Sequence, residues 1–208
     1  MLNKLLAKEK LAEFLKEDLG FGDLSTAYLP DGETAGSFIA KEDGIACGQE
    51  IPGMVYELLG GDADYIPCVK DGDFIKKGTV MGKAVGNAKT LLAGERVSLN
   101  MMQHMSGIAT KTKKAIDLLD DDSIKLCDTR KTTLGLRMFD NQLPQTIRKW
   151  KEIVPAHVKI EASGGISFST IASFKGCGAD FLSMGELTNE VEPLDISFLV
   201  KNAVKAEF

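Results

Sequence analysis

Nothing in the sequence narrows the possible folds more than the rhythm of its second half. From about residue 109, helical patterns near 109–119, 145–153 and 168–175 alternate with short apolar runs at Ile124 to Cys127, Val158 to Glu161 and Phe181 to Met184. Parallel strands joined by helical crossovers produce this order. In barrels of such units the chemistry sits on the loops that follow the strands. Here those loops are Asp128-Thr-Arg-Lys-Thr-Thr133, Ala162-Ser-Gly-Gly165 and Ser183-Met-Gly185.

The first half reads differently. Ser37 to Cys47 is expected to turn at Asp43-Gly44, and Tyr65 to Val85 at Asp71-Gly72 and near Lys77-Gly78, because Asp-Gly permits the positive φ of tight turns. Helices are expected near 5–17 and 52–59, giving a small antiparallel sheet plus helices. Thr90 to Met105 is helical and apolar around most of its circumference, with a break expected at Ser106-Gly107. Arg96 lies on the apolar face, four residues after Leu92 and three before Leu99, so its guanidinium needs a partner. Two readings stand: a structural ion pair with an acidic residue, or an anion-binding arginine. Gly72, Gly78 and Gly82 echo the turn rhythm of biotinyl or lipoyl carriers, but Lys83 lacks the flanking pattern of an acceptor lysine.

Composition excludes several classes. A hydrophobic fraction of 44% with 26% charged residues is that of a soluble globular chain. The formal net charge of -5 argues against a general nucleic-acid surface, which depends on Lys and Arg neutralising phosphates. Met1 to Leu15 is interrupted by Lys4, Lys8, Glu9, Lys10 and Glu13, so it reads as a surface helix and not as a signal peptide or membrane span. A cytoplasmic protein is expected. Cys47, Cys68, Cys127 and Cys177 never form C-x-x-C, and reduced, mostly buried thiols are expected. His104 and His157 have no carboxylate or thiol at a telling spacing, so neither reads as the base of a nucleophile.

The strand-end loops carry the chemistry. Arg130 and Lys131, flanked by Thr129, Thr132 and Thr133, suit a carboxylate or phosphate, since Arg offers a planar fork and Lys a compact charge. A solvated basic loop is the alternative. Ser163-Gly164-Gly165 lets backbone N–H groups approach a phosphate, and a following helix would add its dipole. Ser183-Met184-Gly185 repeats the arrangement after the next strand, and two such turns resemble the phosphate site of β/α barrels.

Seven segments in order carry a family resemblance: Glu17 to Thr26, Asp43 to Gly48, Gly94 to Asn100, Met105 to Thr110, Asp128 to Thr133, Glu161 to Ile166 and Asp195 to Ser197. Together they resemble the quinolinate phosphoribosyltransferases, the carboxylating nicotinate-nucleotide pyrophosphorylases. The resemblance implies an N-terminal α/β sandwich, residues 1-107, followed by an incomplete α/β barrel, residues 108-208. It implies transfer of phosphoribose from phosphoribosyl pyrophosphate to quinolinate with Mg²⁺, giving nicotinate mononucleotide, pyrophosphate and carbon dioxide. A homodimer is implied, with Arg96 donated to the neighbouring site. Thr129, Arg130 and Lys131 would bind quinolinate, and Lys131 and Asp140 would take part in catalysis, with Asp140 near the ribose and metal. Ser163, Gly164, Gly165, Ser183, Met184 and Gly185 would hold the 5′-phosphate.

The chain departs from the family at one place. In the family a long stretch with a Gly-rich turn, an Asn-His-Arg motif, a Lys-Asp-Asn-His motif and a Glu follows the Thr-Arg-Lys loop; here only Thr133 to Arg137 separates that loop from Met138-Phe-Asp-Asn141. Parallel strands need a crossover of about a dozen residues or more. About two β/α units, roughly 60 residues, are therefore absent from the expected barrel; if this is a genuine internal deletion, the expected consequence is complete or severe loss of activity. The alternative function is a non-catalytic or impaired paralogue: a binding or assembly subunit, or the relative associated with molybdenum transport.

Overall fold

The computed structural model describes residues 4–20, 32–127, 147–148, 151–152, 154–189 and 191–200. Its fold is α/β and divides into two units, Met1–Ala109 with Pro193–Phe208, and Thr110–Glu192.

In the first unit, helix α1 (Lys4–Leu19) buries Leu11 and Leu15 against Ile51, Met54 and Val55 of α2 (Ile51–Leu58) and against Val97. The strands β1 (Glu33–Ala40), β3 (Ala63–Pro67), β5 (Val80–Asn87) and β9 (Ile196–Val200) form an antiparallel sheet in the order β3-β5-β1-β9. Strand alternation sends Phe38 and Ala40 of β1, Ala84 of β5 and Ile196 and Phe198 of β9 to one face, where they pack with Tyr56, Leu91 and Met102. Phe38 and Phe198 face each other in register, ring centroids 4.6 Å apart.

Helices α1 and α2 lie where the periodicity places them, and Gly72 and Gly78 turn the chain at φ of 93° and 89°. The Ser37 to Cys47 segment is corrected: β1 pairs with β5 and β9, while β2 (Gly44–Ile45) pairs with β4 (Phe74–Ile75). The side chain of Asp43 accepts the backbone N–H of Lys77 at 2.8 Å, so the Asp-Gly corner is tied to another strand connection and does not close a hairpin on itself. The break expected at Ser106-Gly107 is absent. Helix α4 runs unbroken from Glu95 to Leu119 after α3 (Ala88–Ala93) ends at Gly94. Buried Ser106 joins Cys47 by accepting from its N–H and donating to its carbonyl, which holds the helix at this point. Residues 196–200 are also reassigned: they close the first unit's sheet, because Ile196 and Phe198 complete its apolar face.

In the second unit β6 (Lys125–Cys127), β7 (Glu161–Ser163) and β8 (Phe181–Ser183) form a parallel sheet in the order β6-β8-β7. Leu126, Leu182 and Ala162 fall in one row and pack into a core with Ala115, Leu119, Ile147, Ile171 and Met184. The strand expected at 158–161 begins only at Glu161, since the N–H of Ile160 is taken by the Asp180 side chain at 2.9 Å. The helix expected at 168–175 is a 3₁₀ turn, Ile171–Phe174. Thr170 Oγ1 accepts the N–H of Ser167 and donates to the carbonyl of Gly165, closing the preceding turn with side-chain bonds.

Candidate functional site

Parallel pairing brings two of the three strand-end loops together. Ser163, the last residue of β7, pairs in register with Ser183, the last of β8, which pairs with Cys127 of β6. Alternation puts Cys127, Ser163 and Ser183 on the face opposite the apolar row. One residue pair lower, Lys125, Phe181 and Glu161 share that face. The sheet is thus apolar toward its packed core and largely polar on the other side.

After β7, Gly164 and Gly165 adopt φ of 86° and 66°. Consecutive left-handed residues favour glycine, and without side chains the turn leaves its backbone open to close approach. After β8, the hydroxyl of buried Ser183 donates to Glu161 Oε1, and the N–H of Met184 donates to the carbonyl of Cys127 at 3.1 Å. The Gly185 carbonyl accepts from Thr188 at 3.2 Å. Glu186 reaches back so that its Oε2 accepts the N–H of Phe168 at 2.9 Å, fastening the two turns to each other. The 3₁₀ turn is too short to supply the dipole that a full helix at 168–175 would bring.

Arg96 stands in the first turn of α4, and its Nε donates to Asp18 Oδ1 of α1 at 2.7 Å. The ion-pair reading of its spacing describes this contact. Burial raises the Glu95 carboxyl, opposed by the charge of Arg96 beside it. A cleft of about 290 Å³ adjoins the pair, lined by Phe14, Glu17, Asp18, Val97, Asn100 and Met101. Two carboxylates on its wall make it a poor anion pocket by itself. Thr129, Arg130, Lys131 and Asp140 lie outside the described residues.

Among the described residues no group of three His, Cys, Asp or Glu side chains could hold a metal ion. None of their helices is long and apolar enough to cross a membrane. His104 and His157 are exposed, and Lys83 lies within β5 opposite Ser37 and Ile66. The four cysteines are unpaired, but only Cys177 is buried and Cys68 is exposed, so the expectation of mostly buried thiols is corrected. Glu161 is the residue that sequence reasoning passed over. Its place at the head of Glu161-Ala-Ser-Gly-Gly-Ile166 was visible, but its contact with Ser183 depends on strand pairing.

Residues 23–106 match the family model "Quinolinate phosphoribosyl transferase, N-terminal domain", and residues 138–199 match the corresponding C-terminal domain. A protein of Bacillus subtilis (strain 168) named probable nicotinate-nucleotide pyrophosphorylase [carboxylating] is 33% identical over 271 residues, with 94% of each chain covered. The alignment's 271 positions exceed the chain's 208 residues by 63, so at least that many positions of the relative face no residue here. A chloroplastic enzyme of the same name from Arabidopsis thaliana is 44% identical over 141 residues, covering 65% of this chain and only 39% of that protein. Among solved structures, NadC from Streptococcus pyogenes superposes with a TM-score of 0.85 at 26% identity, covering 97% of this chain and 98% of that one. The nicotinate-nucleotide pyrophosphorylase of Francisella tularensis shares the fold with a TM-score of 0.85, at 22% identity over the same shares of the two chains.

Proposed function

The chain belongs to the quinolinate phosphoribosyl transferase family of pentosyltransferase enzymes, and from that membership we propose that it binds phosphoribosyl pyrophosphate and quinolinate in order to join them. The products would be nicotinate mononucleotide, pyrophosphate and carbon dioxide, formed in the cytoplasm, where unpaired cysteines stay reduced. The observation that carries this reading is the left-handed Gly164-Gly165 turn at the end of β7, beside the end of β8. Small residues there let backbone N–H groups reach a 5′-phosphate.

The reaction requires charge management and no protein nucleophile. Thr129, Arg130 and Lys131 are the proposed holders of the two quinolinate carboxylates, turning the ring nitrogen toward the ribose carbon. Arg96 is proposed to add a third cation from the second subunit of a homodimer. As the nitrogen bonds to that carbon, pyrophosphate leaves; the positive ring nitrogen then stabilises the electron pair left on the adjacent ring carbon as carbon dioxide departs, and that carbon takes up a proton from solvent. Lys131 would balance charge on the diacid and Asp140 would face the positive character that develops on the ribose. Asp140 is the proposed protein carboxylate for Mg²⁺, which would be held mainly by the substrate phosphates and, when bound, would supply charge neutralisation for the pyrophosphate.

A second reading is favoured by the 63 or more positions of the Bacillus relative that have no counterpart here. On that reading the chain binds family ligands without turning them over. Calorimetric titration of the full chain with quinolinate and then with phosphoribosyl pyrophosphate and Mg²⁺ tests both. Binding of both ligands supports family function, and binding of neither overturns it. A turnover assay under the same conditions then separates enzyme from binding protein.

A further inference from the structure

Glu161 is an exposed carboxylate on the polar face of the parallel sheet. Its backbone pairs with Phe181, yet its side chain accepts a hydrogen bond from Ser183, two residues further along β8. The carboxylate is therefore drawn toward the strand ends, to the level of Ser163 and just before the Gly164-Gly165 turn. Ser183 is 2% exposed and its hydroxyl can donate only one proton, which goes to Glu161. One carboxylate oxygen is thereby fixed. Among the described residues, the Glu161 side chain forms no ion pair and has no hydrogen-bond partner except Ser183. A structural carboxylate on a sheet face would be expected to meet a cation or several N–H donors, as Asp180 does at the opposite ends of these strands.

Resting on the phosphate reading of the adjacent turn, we propose that Glu161 is a specificity residue that accepts hydrogen bonds from the hydroxyl groups of a ribose 5-phosphate moiety, with Ser183 as its positioning residue. An ionised carboxylate only accepts, and a ribose offers vicinal hydroxyl donors, so the pairing selects a sugar phosphate over free phosphate. Ser183 holds the acceptor in place before the sugar arrives, reducing the ordering that binding requires. Its hydroxyl is spent on the carboxylate, so it contributes to binding of the sugar only through Glu161 and not to the phosphate contact.

The test titrates the full chain and its Glu161→Gln and Ser183→Ala variants with inorganic phosphate, ribose 5-phosphate and 2-deoxyribose 5-phosphate. The unmodified chain should prefer ribose 5-phosphate over phosphate. Glu161→Gln should weaken ribose 5-phosphate by about tenfold or more while leaving inorganic phosphate within about twofold, which also shows that the turn remains folded. Ser183→Ala should produce a smaller loss of the same pattern, and Ser183→Thr, which restores the hydroxyl, should recover it. Equal affinity of Glu161→Gln and the unmodified chain for ribose 5-phosphate overturns the proposal. Phosphate binding with no preference for the sugar overturns it while sparing the phosphate reading, and binding of neither overturns both.

Discussion

Arg96 and Asp18, 78 positions apart in sequence, are joined by a 2.7 Å bond between Nε and Oδ1 that ties the first turn of α4 to α1. The guanidinium is 48% exposed, and the second oxygen of Asp18 is buried without a hydrogen-bond partner. Solvent screening of so open a cation leaves the pair worth about 1 kcal/mol or less. Arg96→Ala should therefore shift the urea midpoint only slightly at constant slope. The proposed role in the neighbouring subunit's site predicts something larger, a loss of quinolinate affinity of about tenfold or more. Asp18→Asn, which keeps the cation, should show the small stability effect with much less of the binding effect. Chemical denaturation and calorimetry on the same samples separate the two.

Gly36 of β1 lies under Phe198 of β9, and a Cβ built on it would stand 2.1 Å from the ring's Cζ. Even alanine must therefore push β9 off the sheet or force Phe198 out of the core. Overpacking of this kind costs about 1–3 kcal/mol. Gly36→Ala should lower the midpoint of thermal unfolding, and Phe198→Leu should relieve part of that loss when the two are combined. A double-mutant cycle by thermal melts would detect the coupling, and strictly additive losses would show that the ring and the glycine do not share the space.

How much of this was legible in the sequence follows from where each element finds its support. Helices α1 and α2 were readable because their buried positions, Leu11 and Leu15 or Ile51, Met54 and Val55, recur at helical spacing. The continuity of α4 through Ser106 and Gly107 was not, because a helical glycine costs only about 1 kcal/mol and the bonds between Ser106 and Cys47 span 59 residues. The Asp43-Gly44 corner misled for the same reason: it fixed a local turn while the partners of β1 came from 80–87 and 196–200. At the candidate site the small-residue turns were visible as motifs. The commitment of Ser183 to Glu161 was invisible, since it depends on the parallel register of β7 and β8.

Asp180 gathers three donors at the start of β8: the N–H of Ile160 at 2.9 Å, Lys159 at 2.9 Å and Lys151 at 3.1 Å. The backbone bond first, and then the two lysines, hold its carboxyl well below the usual carboxylate range. A folded value depressed below the unfolded one means stability that is complete above the unfolded value, about 3.9, and lost as the pH falls toward the folded value. The stability gap between the unmodified chain and Asp180→Asn should be constant above about pH 5 and narrow below pH 4. Melting curves from pH 7 to pH 3 would reveal this, whereas a gap independent of pH would assign the role of Asp180 to geometry alone.

The phosphate reading of the Gly164-Gly165 turn can be separated from its bare conformational need. Both residues have positive φ, 86° and 66°, so alanine at either costs about 1–2 kcal/mol of left-handed strain whether or not a ligand binds there. Gly176 provides the matched control: it lies in the same unit at φ 63°, and a Cβ built on it meets nothing within 4 Å. Gly176→Ala should lower the melting temperature by a similar few degrees and leave phosphate affinity alone. Gly164→Ala and Gly165→Ala should lower the melting temperature and also weaken inorganic phosphate by about tenfold or more, because the methyl group enters the space where a ligand oxygen would meet the backbone. Equal phosphate affinity in all three variants would make the turn a structural corner, and the site of sugar-phosphate binding would have to be sought elsewhere in the chain.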